Sequence, residues 1–425
     1  MTEQEKNHAL CDEEWQKGAT TVTSTPRIVT IETTSVCNIK CVMCPHGLDD
    51  KNMTYEHFPE NLVPKLKEVI HNASIVQLHG LGEPMMNPAF WDMLKMTHKN
   101  QHVAINTNGI LLNKKNVDRM LATWIGEINF SLDAATHETY QKIRGADFNL
   151  VLNNLRYLIS ERKRLKRDRP YIFMNMTLMR ENIEEAVKFV ELCHELKADQ
   201  VHFWQMNQLD EEKPWRVERD GWSFDYHQQL LSKHPKLSNE MIRKAKERAK
   251  ELGVHLALDW AKKVFFDEDD SPEPEKKKKT ENKKPETFSP KQCNAPWNWM
   301  LIKTDGYVVP CCFGTGTLGN INALNPLEIW NGRVTRELRG YLLSDRIHPT
   351  CSSGVCKFIS GRKSEEVEKR WSAHNISKNI QDMVWKTFVV VKTTAKKVVG
   401  ENFWQIAKPR YLKLRSKVIR FINRP

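Results

Sequence analysis

No apolar run in the 425-residue chain is long enough to cross a bilayer, and the opening "MTEQEKNHALCDEEW" has neither a basic n-region nor an apolar h-region. Both absences point to a cytoplasmic, reducing compartment. There the ten cysteines serve metal binding or chemistry more often than disulfides. The chain has no internal repeat, which excludes solenoid architectures. An apolar fraction of 40% is a little low for a compact globule, so some segments lie outside the core. The length still suffices for one large domain and a smaller one.

Charge is unevenly placed. Gly361 to Pro425 carries 16 Lys+Arg against 5 Asp+Glu, nearly all of the net +12. The remainder is close to neutral, which argues against a nucleic-acid-binding core and gives the tail a separate task.

Six short apolar or β-branched stretches read as strands, each followed by a turn and a helical pattern. They start at Arg27, Ser74, Val103, Glu127, Tyr171 and Ala198. Strand–helix alternation implies a parallel sheet, and six units suit a partial (β/α)6 barrel. Polar residues gather at the strands' carboxyl ends (Thr33, Asn108, Asp133, Thr177), the edge where parallel α/β architectures bind ligands. The expected organisation is a polar N-terminal arm (1–26), a barrel domain (27–264), a charged linker (265–290), a small α+β cysteine-rich module (291–360) and a basic helical tail (361–425). "FDEDDSPEPEKKKKTENKKPETFSP" within the linker is too charged to bury a core. In the module, "WMLIKTDGYVVP" reads as a hairpin turning at Asp305-Gly306.

"ETTSVCNIKCVMCPHG" places Cys37, Cys41 and Cys44 on one loop after the first strand. Zinc sites usually pair Cys-x2-4-Cys knuckles to reach four ligands; here a fourth thiol is missing and His46 would have to double back. Three thiolates on a cubane cluster leave one iron open. The loop "CNIKCVMC" resembles the signature of the radical S-adenosylmethionine (radical SAM) enzymes. "HGLGEP" (His79–Pro84), "NTNG" (Asn106–Gly109) and "FSLDAATHETYQKIRG" (Phe130–Gly145) are similar to that family's later motifs, in order, at the ends of successive strands.

The resemblance implies that Cys37, Cys41 and Cys44 hold a [4Fe–4S] cluster and that S-adenosylmethionine is its fourth ligand. In that family the reduced cluster cleaves the sulfonium, and a 5′-deoxyadenosyl radical abstracts hydrogen from a C–H bond. It further implies that Gly82 and Glu83 meet the methionine amino group and that Thr107 and Asn108 reach the ribose. Ser131 and Asp133 would contact the cofactor from the fourth strand, Arg144 would fork the methionine carboxylate, and Met43 would touch the adenine, where many members have an aromatic residue. Read without the cysteine loop, Gly82-Glu83-Pro84 is a turn and Ser131 a strand-end cap.

Beyond the linker, Cys293-x12-Gly306-x4-Cys311, "VPCC", "GNI" (Gly319–Ile321) and "EIWNGR" (Glu328–Arg333) resemble the SPASM and Twitch modules that carry auxiliary clusters. A full SPASM module has seven cysteines; five are present, so the resemblance implies one auxiliary [4Fe–4S] cluster on Cys293, Cys311, Cys351 and Cys356. Cys312 is a substitute ligand, and zinc on the same four thiolates is the alternative. Cys193, on the apolar side of a helix, reads as core, and Cys11 as incidental. The sulfatase-maturating relatives place an Asp where this chain has Cys312, so their chemistry is not supported.

The expected activity is hydrogen abstraction that oxidises or rearranges a carbohydrate-like substrate, with the auxiliary cluster accepting an electron. No catalytic residue is assigned; Asp133, His202 and Asp259 are candidate bases. The expected partners are a small-molecule or glycan substrate and a reductant such as flavodoxin or ferredoxin, with no nucleic acid. A peptide-modifying maturase of the same superfamily is one alternative, although the 26 residues before the first strand are short for a peptide-recognition domain. A non-catalytic iron–sulfur or zinc scaffold is another. The tail, "WKTFVVVKTTAKKVVGENFWQIAKPRYLKLRSKVIRF" from Trp385, interleaves basic and apolar residues and can contact an anionic membrane surface or pack as a helix on the body.

Overall fold

The computed structural model describes residues 1–48, 53–206, 215–258, 289–314, 316–351, 356 and 358. The candidate base Asp259, all but the last two residues of the expected linker, and the whole basic tail lie outside the described residues. Two compact units divide the chain, one within Ile31–Phe58 and Ile75–Glu281, the other within Met1–Thr30, Pro59–Ser74 and Asn282–Pro425.

All six expected strands form: β1 (Ile28–Ile31), β2 (Ile75–Gln77), β3 (His102–Thr107), β4 (Glu127–Ser131), β5 (Tyr171–Leu178) and β6 (Gln200–Gln205). Two features were not anticipated. β7 (Arg216–Arg219) and β8 (Trp222–Asp225) make a separate antiparallel hairpin, and β9 (Leu256–Ala257) pairs parallel to β6. In the first unit the sheet runs β2-β3-β4-β5-β6-β9, every pair parallel. It is an open sheet, with no closing pair among the described residues, and matches a partial rather than a complete barrel.

Alternation decides which face of this sheet is core. Ile128, Phe130, Ile172, Met174, Met176, Val201 and Phe203 are fully buried, and each such side chain contributes about 1.5–3 kcal/mol of burial. The intervening residues Glu127, Asn129, Ser131, Phe173 and His202 are only half-buried, so the second face is polar and accessible.

Helices join the strands as the sequence pattern requires. α4 (Lys114–Leu121) and α6 (Phe148–Arg164) start at side-chain caps, Asn113 and Asp147. α5 (His137–Arg144) is capped by Thr136 and ends at Gly145, whose φ of 67° is the left-handed turn that stops a helix. α7 (Ala186–Leu196) buries Cys193, as its apolar position predicts. α8 (Pro235–Leu252) opens with Pro235 and ends at Gly253.

The other unit departs from the expected boundaries. Residues 1–26, read as a polar arm, contain α1 (Glu3–Gln16), started by a capping box at Thr2, with Cys11 fully buried and its Sγ 3.4 Å from Thr25 O. Residues 27–30 and 59–74 belong here too, because Ser74 N donates to Arg27 O at 2.9 Å and Lys65 Nζ donates to Ile321 O and to Asn322 O. Sequence periodicity is blind to such contacts between distant segments. β10 (Trp299–Ile302) and β11 (Tyr307–Val309) form the expected hairpin, Gly306 supplying φ 81° at the turn, and β12 (Gly319–Asn320) extends it. Helix Arg333–Leu343 packs on the short helix Ala295–Asn298, its buried Arg339 donating to Pro296 O and Thr20 O.

Candidate functional site

The loop after β1 is fixed by its neighbours before any metal is considered. Gly82 N donates to Thr34 O (3.1 Å) and Glu83 N to Val36 O (3.0 Å), so the Gly-Glu-Pro turn lies directly on the cysteine loop. A Cβ at Gly82 would stand 2.3 Å from Val36 O, which explains the glycine sterically. Asn87 Nδ2 donates to Thr33 O and Phe58 O, closing the base of the loop.

Around the thiols the side chains form one network. Arg144 Nη1 donates to Cys41 Sγ at 3.1 Å, and Arg144 Nη2 pairs with Asp133 Oδ2 at 2.8 Å, both residues buried. Asn108 Nδ2 donates to Asn38 Oδ1 (2.8 Å) and reaches Cys37 Sγ (3.7 Å). Glu83, fully enclosed, accepts from Thr107 Oγ1 and Asn108 N, both at 2.8 Å. Burial pushes its carboxyl up to about 7, with those two donors pulling the other way. Burial and the neighbouring Cys41 push the Cys44 thiol up to about 11. Burial disfavours the Arg144 charge, but Asp133 and Cys41 outweigh it and hold the guanidinium firmly protonated.

These contacts give several of the expected site residues partners within the protein. The Arg144 guanidinium, expected to fork a methionine carboxylate, here pairs with Asp133 and donates to Cys41, and its Nε is buried without a hydrogen-bond partner. Asp133 does not continue the β4 face with Asn129 and Ser131. It adopts φ 62°, is 1% exposed, and accepts from Thr177 N at 2.6 Å through Oδ1. Each carboxylate oxygen thus meets a protein donor, Arg144 at Oδ2 and Thr177 N at Oδ1. Ser131 stands half-buried at the end of β4, level with Asn175 on β5 and, beyond it, His202 on β6. Met43 packs against an apolar cluster of Val42, Ile143, Met179 and Phe224. His46, weighed as a ligand, is buried with its ring 5.4 Å from Tyr55.

Donors aimed at sulfur suit a ligated thiolate better than a neutral thiol, since thiolate is the stronger acceptor and the metal-binding form. The loop thus fits a three-thiolate cluster. Among the described residues no group of three His, Cys, Asp or Glu closes on a single ion.

The half-buried sheet face holds a second polar network. Glu127 Oε2 pairs with His102 Nε2 at 2.9 Å, and Asn129 Nδ2 donates to Glu127 Oε1 at 2.6 Å. Burial opposes the charge on Glu127, but these partners hold it below the usual carboxylate range. Burial drives the nearby His79 down to about 4. Trp204, 47% exposed, donates Nε1 to Asn175 Oδ1 at 3.0 Å, and the Phe173 and His202 rings meet at 4.9 Å. Among these residues the sequence reading singles out His202 as a candidate base. The signal for the rest was present, in the i, i+2 spacing of Glu127, Asn129 and Ser131 and of Phe173 and Asn175.

In the other unit, Cys293, Cys311, Cys351 and Cys356 line one small cavity with Pro290, Phe313, Leu342 and Ile347. Burial and the neighbouring thiols push Cys311 up to about 11 and Cys351 to about 12. Four thiols in an apolar shell suit a shared cationic cluster. Cys312 is exposed and does not line the cavity. Cys312→Ala should leave the iron content unchanged, whereas Cys351→Ala should remove the auxiliary iron, as iron counting on the purified variants will show.

Residues 31–193 match the model of the radical SAM superfamily, and residues 293–357 match the SPASM iron–sulfur cluster-binding domain. The AdoMet-dependent heme synthase of Methanosarcina barkeri is 24% identical over 79% of this chain and 90% of its own. The tungsten-containing aldehyde ferredoxin oxidoreductase cofactor-modifying protein of Pyrococcus furiosus is 22% identical over 77% and 88%. Among solved structures, Streptococcus suis SuiB bound to S-adenosylmethionine superposes with a TM-score of 0.54 at 16% identity, covering 83% of this chain and 77% of SuiB. The chain is a member of the radical SAM superfamily, with a [4Fe–4S] and S-adenosylmethionine core and a SPASM iron–sulfur module.

Proposed function

We propose that this radical SAM enzyme abstracts hydrogen from a carbohydrate-like substrate held on the half-buried face of the β2–β6 sheet, leading to its oxidation or rearrangement. When bound, the open-iron cluster supplies the electron that cleaves S-adenosylmethionine. Cys37, Cys41 and Cys44 would hold it, with Arg144 and Asn108 donating to the sulfurs. Ser131, Gly82 and Thr107 stand at the same carboxyl edge and would bound the S-adenosylmethionine site. Glu83 shapes that edge through Thr107 and Asn108.

One observation carries the substrate reading: Ser131, Asn175 and His202 form a single row across three strands, leading from the cofactor edge onto the polar face. Along that face the Glu127 carboxylate and the Asn129 amide can bond hydroxyl groups, and the Trp204 ring can stack on a sugar ring. His202 is the candidate base on this row. Cys293, Cys311, Cys351 and Cys356 would hold the auxiliary cluster, whose four thiolates leave no open iron and so suit electron transfer. A flavodoxin or ferredoxin would supply the reducing electron. No helix among the described residues is long and apolar enough to cross a membrane.

The test is anaerobic. The reconstituted, reduced enzyme is given S-adenosylmethionine and a panel of nucleotide sugars, and 5′-deoxyadenosine is measured. Its formation should rise above the substrate-free rate with at least one sugar, and Glu127→Gln should suppress the rise while leaving the substrate-free rate intact. A rise with a precursor peptide instead of any sugar would establish the maturase alternative. No deoxyadenosine from a fully loaded, reduced protein would leave the scaffold.

A further inference from the structure

The unanticipated β7–β8 hairpin sits on the cysteine loop, within the same unit. Its tip is Asp220-Gly221, with φ of 50° and 78°, the two left-handed residues that a two-residue hairpin turn requires. Val217 and Trp222, with Trp215 ahead of them, pack on the apolar cluster that contains Val42 and Ile143 and also touches Met43. From the end of β7, the Arg219 guanidinium donates to Lys142 O at 2.8 Å and to Lys40 O.

Those two carbonyls are informative. A helix leaves its last four carbonyls without intrahelical donors. At the end of α5, Gln141 O accepts from Gly145 N at 2.9 Å, Lys142 O from Arg219, and Ile143 O from Val42 N at 3.0 Å. The helix terminus is thus capped jointly by the cysteine loop and the hairpin, and a cation there also suits the helix dipole. The next residue in α5, Arg144, is the donor to Cys41 Sγ. Gly145 leaves the room: a Cβ on it would stand 2.8 Å from the guanidinium. An open cavity of about 450 Å³ beside the hairpin tip is lined by Cys37, Lys40, Gln141, Arg219 and Asp220.

We propose that the hairpin is a clasp on the first cluster loop, with Arg219 as its positioning residue. By bridging Lys40 O and Lys142 O, one guanidinium fixes the Cys37–Cys41 segment against the helix whose Arg144 contacts Cys41. The planar fork is what permits one side chain to hold two carbonyls; lysine, a point donor, cannot reproduce it. The inference rests on the reading of Cys37, Cys41 and Cys44 as cluster ligands only for its consequence on iron.

The experiment compares the full-length wild type with Arg219→Ala and Arg219→Lys. In the metal-free chain, hydrogen–deuterium exchange at Val42 and Cys44 should accelerate in Arg219→Ala. In the reconstituted chain, the first site should release iron to a chelator more readily, by roughly the 10–100-fold typical of lost outer-shell support. Its EPR signal should shift, and the auxiliary signal should not. Arg219→Lys should fall between wild type and alanine on each measure, and it alone decides the matter if the alanine variant does not fold. Wild-type exchange at Val42 and Cys44 in both variants would overturn the clasp. If the wild type binds no iron at this loop, the ligand reading fails, while the exchange comparison still decides the clasp.

Discussion

Alanine at Cys37, Cys41 and Cys44 together will abolish 5′-deoxyadenosine formation and will leave about four of about eight irons, the content of one remaining cubane. The expectation follows from the separation of the thiols into two sets. Three lie on one loop with Arg144 and Asn108 aimed at their sulfurs, and four line a cavity in the other unit. The measurement combines iron counting, EPR of the reduced protein and chromatographic assay of deoxyadenosine under strict anaerobiosis. Two results would contradict it. A wild type with four irons and a triple variant with none would leave the second set without a cluster, and with it the proposed electron acceptor. A triple variant that still forms deoxyadenosine would place the cleavage elsewhere. Folding is not at issue for most of the core, because the loop's base is held by Asn87 and by the Gly82 and Glu83 backbone.

The second large effect concerns stability. Arg144→Ala should destabilise the metal-free chain by about 3–5 kcal/mol, the usual penalty for stranding one member of a buried ion pair. Asp133, 1% exposed, would lose its cationic partner and retain only the Thr177 N–H. Urea unfolding followed by circular dichroism reads the difference directly. Adding Asp133→Asn should recover much of the loss, because the amide oxygen can still accept from Thr177 N while the uncompensated charge is gone. A loss below about 1 kcal/mol would be the range of an exposed pair and would show that the Arg144–Asp133 pair does not stabilise the metal-free chain. In the reconstituted enzyme the same variant removes the donor to Cys41 Sγ, so the EPR signal of the first cluster should change as well.

The family motifs were legible because each is a short run in which the chemistry needs adjacent residues. Three thiols on one loop, a glycine pressed against Val36 O, and a polar side chain just past a strand all leave a local trace. The strands were legible for a related reason: alternation and β-branched content are properties of consecutive residues. The Asp220-Gly221 hairpin also had a local signal and was overlooked, since its strands, "RVER" and "WSFD", carry too few apolar residues to stand out. The N-terminal helix reads as an arm because it is polar overall, whereas its Thr2 capping box and buried Cys11 tie it into a folded unit.

Local patterns in the sequence were enough for the superfamily, the six strands, the two cysteine sets and the separation of a neutral body from a basic tail. Tertiary structure alone decided what the polar residues near the cluster do. Arg144 and Asp133 are eleven positions apart, and their pairing depends on a left-handed turn at Asp133 that directs its carboxylate onto the end of α5. Glu127 meets His102 from a neighbouring strand, and Arg219 reaches Lys40 across 179 residues. Spacing along a chain reports which residues share a face. Which of them spend their charge on one another, and which stay available to a ligand, is set by distances that exist only once the elements have packed.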